Sequence, residues 1–216
     1  MIEGIRVKVC GLTTLVDAGL ADACGVDYLG FNLYPPSPRS IALETIRAMA
    51  KNLPERRRVA VTVEPSAAEL AAMQDAGFDF FQIHFRHDLP LETVADWSKQ
   101  VGAGRLWLAP KLPPAVDVPA GLLPLADTIM LDTFHAAGFG GSGKTGDWEK
   151  FARHQQNHPE KTWLLAGGLT PDNIADALEQ TRACFVDINS GVESAPGVKD
   201  HARLRLFAER LRQRRA

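Results

Sequence analysis

Two hydrophobic patterns alternate along this chain. Short runs rich in β-branched and aromatic residues read as strands: IRVKVC, YLGFNLY, RVAVTV, FFQIHF, RLWLAPKL, TIMLD, TWLLAGG and CFVDINSG. Between them lie stretches such as TLVDAGLADACG, ALETIRAMAKNL, SAAELAAMQDAG, LETVADWSKQVG, PDNIADALEQT and KDHARLRLFAERLRQR. Their apolar residues recur three and four apart, the spacing that puts one stripe on the face of a helix. Several open on Thr, Ser or Pro-Asp and close on Gly, which are helix start and stop signals. The pattern predicts about eight strands and seven helices. One more segment, residues 114–126, is rich in proline and reads as loop with a short helical piece.

Strict strand–helix alternation implies parallel strands joined by right-handed crossovers. Eight such units in 216 residues point to a single α/β domain spanning 1–216, a (β/α)8 TIM barrel. An open doubly wound sheet stays as the alternative, because alternation alone does not show closure. A barrel carries its chemistry at the C-terminal ends of its strands. Those ends are Cys10, Asn32, Tyr34, Thr62, Glu64, Gln82, His84, Lys111, Asp132, Gly167, Gly168, Asp187, Asn189 and Ser190.

Composition narrows the partners. Hydrophobic residues make up 45% and charged residues 23%, with a formal net charge of −2. That balance gives no reason to expect nucleic acid or an anionic membrane. The terminal RLRQRR reads as a solvated last helical turn, where cations suit the helix dipole. The three cysteines, Cys10, Cys24 and Cys184, are widely spaced and suggest neither zinc nor a disulfide framework. With no leader-like or membrane-length apolar run, the expected setting is the reducing cytoplasm.

Several groupings have both a chemical and a structural reading. Gly-rich turns, AGGL and NSGV, follow the last two strands, where such barrels commonly hold phosphate. Cys10 is either a buried small hydrophobe or a base that needs nearby positive charge. Lys8 shares its strand face, and the eighth strand, next to the first in a closed barrel, brings Asp187. A buried Lys8–Asp187 pair is the favoured reading of those two residues. Asp132 either caps the next loop or acts as an acid across the mouth from Cys10. His84 is either a titrating group or a hydrogen-bonded structural one. Arg39, after the stiff YPPSP, either holds a carboxylate or stays solvated.

The stretch from Gly138 to Thr145, GFGGSGKT, matches the nucleotide-binding pattern G-x-x-x-x-G-K-[ST]. A P-loop needs its strand to run straight into the glycine turn, but TFHAA intervenes and Gly146 interrupts the helix start. The segment therefore reads as an active-site loop, with Lys144 in reach of substrate.

The motifs KVCGLT, DYLGFNLYPPSPR, FQIH, MLDT, GGSGKTGDW, LAGGLTPDNI and VDINSGVESAPGVKD together resemble the phosphoribosylanthranilate isomerase family, in order and over nearly the whole chain. The resemblance implies a (β/α)8 enzyme of tryptophan biosynthesis that performs an Amadori rearrangement with no metal or organic cofactor. It implies that Cys10 is the general base and Asp132 the general acid. Arg39 would hold a carboxylate, and Gly168, Ser190 and Gly191 the phosphate. Gln82, His84, Gly167 and Asp187 complete the expected substrate-binding set. The partner implied is a small phosphorylated substrate, with the chain a monomer or homodimer. A paralogue that isomerises or merely binds another phosphorylated aminosugar is the alternative. Three places depart from the family pattern: Thr62 and Glu64 at the mouth in AVTVEP, Phe85, Arg86 and His87 after QIH, and Gly146 where an aromatic is usual. Phe85 is expected to crowd its turn and Gly146 to loosen the sixth loop.

Overall fold

The structure, a computed structural model, describes residues 1–133 and 146–213. The nucleotide-pattern segment and Lys144 lie outside the described residues. Eight strands close into a barrel in sequence order, every neighbouring pair parallel. They are β1 (Arg6–Val9), β2 (Tyr28–Asn32), β3 (Arg57–Val63), β4 (Phe80–Arg86), β5 (Leu106–Lys111), β6 (Thr128–Leu131), β7 (Thr162–Leu165) and β8 (Phe185–Ile188). Closure comes from β1 pairing with β8, which excludes the open sheet.

The outer layer contains α1 (Leu15–Ala23), α2 (Leu43–Met49), α3 (Ala67–Asp75), α4 (Leu91–Val101), α5 (Trp148–Asn157), α6 (Ile174–Thr181) and α7 (His201–Arg212). The start signals act as expected: Thr14 accepts from Asp17 N, Ser66 and Glu69 form a reciprocal cap, and Asp200 accepts from Ala202 and Arg203 N. Between β5 and β6 the proline-rich segment forms only a 3-10 helix, Ala120–Leu125. Pro124 inside it lacks the N–H a longer α-helix would need. None of the described helices is long and apolar enough to cross a membrane.

Strand alternation sends one set of side chains outward to the helices and the other into the barrel. The lower interior is filled by rings: Tyr28, Phe80, Trp107 and Phe185 meet at centroid distances of 5.0–5.6 Å. Arg6 lies over Phe185 at 4.7 Å and Arg57 over Phe80 at 5.7 Å. This plug closes the interior from below, so charges one layer higher gain no water from that side.

Alternation also corrects two expectations. Phe85 points outward, fully buried, with its ring 5.7 Å from that of Trp97 on α4. It packs the barrel against a helix and does not crowd the turn. Thr62 shares parity with Ala60, which packs in the helix-side core, whereas Val59 and Val61 line the interior. Thr62 therefore belongs to the outer layer and not to the mouth.

A second sheet follows β8. A 3-10 turn, Ser190–Val192, leads into an antiparallel pair, β9 (Glu193–Ala195) and β10 (Val198–Lys199). The strand pattern missed this hairpin because its two arms total only five residues.

Candidate active site

The site is built up from β1. Lys8 sits opposite Asp187 in the β1–β8 register, and its Nζ lies 2.9 Å from the Asp187 carboxylate. The expected buried pair is formed, with side-chain exposures of 0% and 5%. Gly30 on β2 makes room for it, because a Cβ there would lie 2.8 Å from Lys8 Cε and 3.1 Å from Cys10 Cα. Burial alone would depress Lys8, but the Asp187 carboxylate and Cys10 outweigh it and hold the ammonium above its ordinary value. One turn of the pleat higher, Cys10 faces the same interior. Burial pushes its thiol up, while Lys8 and Lys199 oppose that shift. The reactive form of this sulfur thus depends on the two ammonium groups beside it.

Across the mouth, Asp132 follows β6. Burial raises its carboxyl to about 6, against the hydrogen bond it accepts from Thr133 N at 2.7 Å. A cavity of about 180 Å³ opens beside it, with Pro110, Leu112, Thr133, Lys150 and Ala166 among its walls. Gly167 permits this close packing at φ +90°, since a Cβ would fall 2.1 Å from Thr133 Oγ1 and 3.0 Å from Asp132 Oδ1. Gly146 N donates back to Gly167 O at 3.3 Å, so this end of the sixth loop is tied to the seventh.

Two turns lie side by side after β7 and β8. A Cβ on Gly191 would overlap the Leu169 carbonyl, 1.8 Å away, so only glycine lets the turns touch. Their carbonyls are held from outside: Asn173 Nδ2 donates to Gly168 O at 2.9 Å, and Arg203 Nε to Gly191 O at 3.0 Å. Among the described residues, the N–H groups of Gly168, Ser190 and Gly191 donate to no protein acceptor. Unspent backbone donors in two touching turns suit an anion.

Gln82 and His84 point inward from β4, with their Nε2 atoms 2.8 Å apart. Burial, then the Lys8 charge, depresses His84 to about 4, so the ring is neutral. With Gln82 donating, His84 Nε2 accepts and Nδ1 carries the proton.

Arg39 is neither solvated nor loose. Its Nε lies 3.0 Å from both Glu193 carboxylate oxygens, and its Nη2 lies 2.7 Å from Oε2. Lys199 Nζ approaches Glu193 Oε1 and Asn189 Oδ1, each at 2.9 Å. Asn32 braces the Arg39 loop from below, donating to Ser37 Oγ at 3.0 Å and accepting from Tyr34 N at 2.9 Å. Glu193 and Lys199 were missed by sequence reasoning. The signal was available: VESAPGVK carries a Pro-Gly turn between its two charges, which places them opposite each other in a hairpin. Glu64, at φ +43°, accepts from Arg86 N at 2.9 Å, so these two departures from the family pattern are joined at the rim. Among the described residues, no group of three His, Cys, Asp or Glu side chains is placed to hold a metal ion.

Comparison with known proteins bears on the chain as a whole. The model of N-(5'-phosphoribosyl)anthranilate (PRA) isomerase matches residues 7–210. The N-(5'-phosphoribosyl)anthranilate isomerase of Cellvibrio japonicus is 34% identical over 214 residues, covering 95% of this chain and 93% of that protein. The crystal structure of phosphoribosyl anthranilate isomerase from Thermus thermophilus superposes with a TM-score of 0.79 at 34% identity, covering 96% of this chain and 98% of that one. A phosphoribosyl anthranilate isomerase in complex with reduced 1-(o-carboxyphenylamino)-1-deoxyribulose 5-phosphate gives a TM-score of 0.74 at 29% identity, covering 96% and 98%. The matches run nearly end to end in both sequence and fold: this chain belongs to the N-(5'-phosphoribosyl)anthranilate isomerase family.

Proposed function

We propose that the protein converts N-(5'-phosphoribosyl)anthranilate to 1-(2-carboxyphenylamino)-1-deoxyribulose 5-phosphate, an Amadori step in tryptophan biosynthesis. Asp132 gives its proton to the ring oxygen as the furanose C1–O bond breaks, and the aniline nitrogen lone pair forms the iminium. Cys10 takes the C2 proton, giving an enolamine that tautomerises to the ketone. One proton is lent and one recovered, so the atoms balance without an oxidant, a metal or an organic cofactor. Arg39 meets the anthranilate carboxylate, and the N–H groups of Gly168, Ser190 and Gly191 meet the phosphate. Gln82 and His84 line the floor as neutral hydrogen-bonding groups, and Asp187 keeps Lys8 beside the sulfur.

The observation that carries this reading is one barrel mouth holding a carboxyl raised to about 6 and a thiol beside a buried ammonium. An acid and a base with these environments suit proton transfer on opposite sides of a sugar. Phosphate and carboxylate anchors place C1 and C2 between them, using binding energy remote from the reacting atoms. The cytoplasm, where the substrate would be made and consumed, is the setting this reading implies.

The test is the decay of freshly generated phosphoribosylanthranilate, followed by its fluorescence. The protein is expected to speed that decay, and Cys10→Ala and Asp132→Asn are each expected to lower kcat by about 10²- to 10⁴-fold. Decay no faster than the spontaneous rate would overturn the reading.

A further inference from the structure

The hairpin after β8 does more than close the rim. Its register sets Lys199 against Glu193, and both side chains turn back toward the mouth. Gly197 at its tip has φ +83°, and a Cβ there would lie 3.0 Å from Pro38 O. The hairpin therefore seats directly on the segment that carries Arg39. Thr13 Oγ1 donates to Gly197 O at 3.1 Å, fastening the same tip to the loop after β1. Gly11, at φ +69°, leaves space for this junction, since its Cβ would meet Asn189 Oδ1 at 2.8 Å and Arg39 Cδ at 3.0 Å.

The charges are arranged in a row. Glu193 lies between Arg39 and Lys199, with side-chain exposures of 4%, 12% and 0% respectively. Burial works against the Glu193 charge, but its bonds to Arg39 and the Lys199 ammonium outweigh that and hold it below the usual carboxylate range. Two cations share one anion, leaving a surplus positive charge at the mouth. Glu193 takes the Nε and Nη2 edge of the guanidinium, and among the described residues Nη1 donates to no protein acceptor. The fork is thereby fixed in one rotation with its Nη1 side still to be used.

We propose that Glu193 and Lys199 are positioning residues that make the site selective for a ligand carboxylate, Glu193 by fixing the rotation of Arg39 and Lys199 by fixing Glu193. This rests on the function proposed above, with an aromatic carboxylate as the group Arg39 meets. Lys199 also joins the hairpin to Asn189 at the end of β8, so the selective element is tied to the strand that carries Asp187.

Charge alone and positioning predict opposite results for Glu193→Gln. Removing the carboxylate raises the positive charge of the cluster, so a purely electrostatic role would tighten anion binding. A positioning role weakens it, because the guanidinium loses its fixed rotation. The experiment compares two probes on the full chain: reduced 1-(o-carboxyphenylamino)-1-deoxyribulose 5-phosphate and the same compound without its carboxylate. Wild type is expected to prefer the first. Glu193→Gln should weaken the first by about 10- to 100-fold and leave the second within about twofold. For substrate, KM should rise with kcat nearly retained, the pattern of lost uniform binding. Lys199→Met should move the same preference in the same direction by a smaller factor. Glu193→Asp keeps the charge and shortens its reach, and supplies the same readout if Glu193→Gln does not fold. Undiminished preference in the variants, or tighter binding of the carboxylated probe, overturns the inference while leaving a turning-over wild type intact. A wild type that binds neither probe overturns the proposed function and this inference together.

Discussion

Lys8 and Asp187 face each other across the seam where the barrel closes, 2.9 Å apart and sealed from below by Tyr28, Phe80, Trp107 and Phe185. One residue comes from the first strand and the other from the last, so the pair exists only when the cylinder is complete. Its ammonium is also the cation beside Cys10, which links closure of the fold to the chemistry of the sulfur.

Breaking that pair from one side should be costly. Lys8→Met leaves Asp187 uncompensated in a dry interior, and urea unfolding is expected to show a loss of about 3–5 kcal/mol. Combining it with Asp187→Leu removes both charges, and most of the stability should return. Activity should not return, because the sulfur has lost its ammonium. An active, stable double variant would show that Lys8 serves the fold alone.

The pH profile should carry the signature of Asp132. With the carboxyl near 6 and the thiol pushed up, the working tautomer shares its proton count with the resting one. Below about pH 6 both groups are protonated and no base remains, so kcat/KM should fall. In Asp132→Asn most of the rate should be lost, and the limb near 6 should be displaced upward, because the residual rate then follows ionisation of the raised Cys10 thiol alone. Stability gives an independent check. The folded carboxyl binds its proton more tightly than an unfolded one, so its favourable contribution is present below pH 4 and lost as pH rises through 6. At pH 7.5 the Asn variant should therefore be more stable by about 1–3 kcal/mol, a gap that closes toward pH 4. Equal stabilities at both pH values would contradict the raised carboxyl.

Gly191 offers a test of the paired turns. Its missing Cβ is what lets them touch Leu169 O to backbone, so Gly191→Ala forces them apart. A loss of about 2–4 kcal/mol is expected from overpacking against backbone that has little room to shift. Inorganic phosphate should protect wild type from thermal unfolding more than it protects this variant. Equal protection would place the phosphate elsewhere.

The fold was legible because its signals are local. Strand runs of period two, helix stripes of period 3.6 and the caps at Thr14, Ser66 and Asp200 each depend on neighbours a few residues away. The places of Cys10, Asp132, Gln82, His84 and Asp187 in the barrel followed from the architecture, because strand order and alternation fix which residues reach its interior. The direction of Phe85 was not legible. Family habit suggested a crowded turn, whereas one residue of parity sends the ring outward onto Trp97. Arg39 was singled out without its partner: Glu193 lies 154 positions away, on a hairpin whose strands are too short to show a period and whose local sign is the Pro-Gly turn of VESAPGVK.

The sequence by itself determined the alternation of elements, their approximate limits and the inventory of reactive groups, since periodicity and capping are properties of adjacent residues. Tertiary structure alone decided which charges meet. Closure paired Lys8 with Asp187, glycine contacts at 30, 167 and 191 set how near the loops approach, and the hairpin turned Arg39 from a solvated side chain into a fixed fork. The physical reason is range. Desolvation and ion pairing act between atoms a few ångströms apart in space, whatever their separation in the chain.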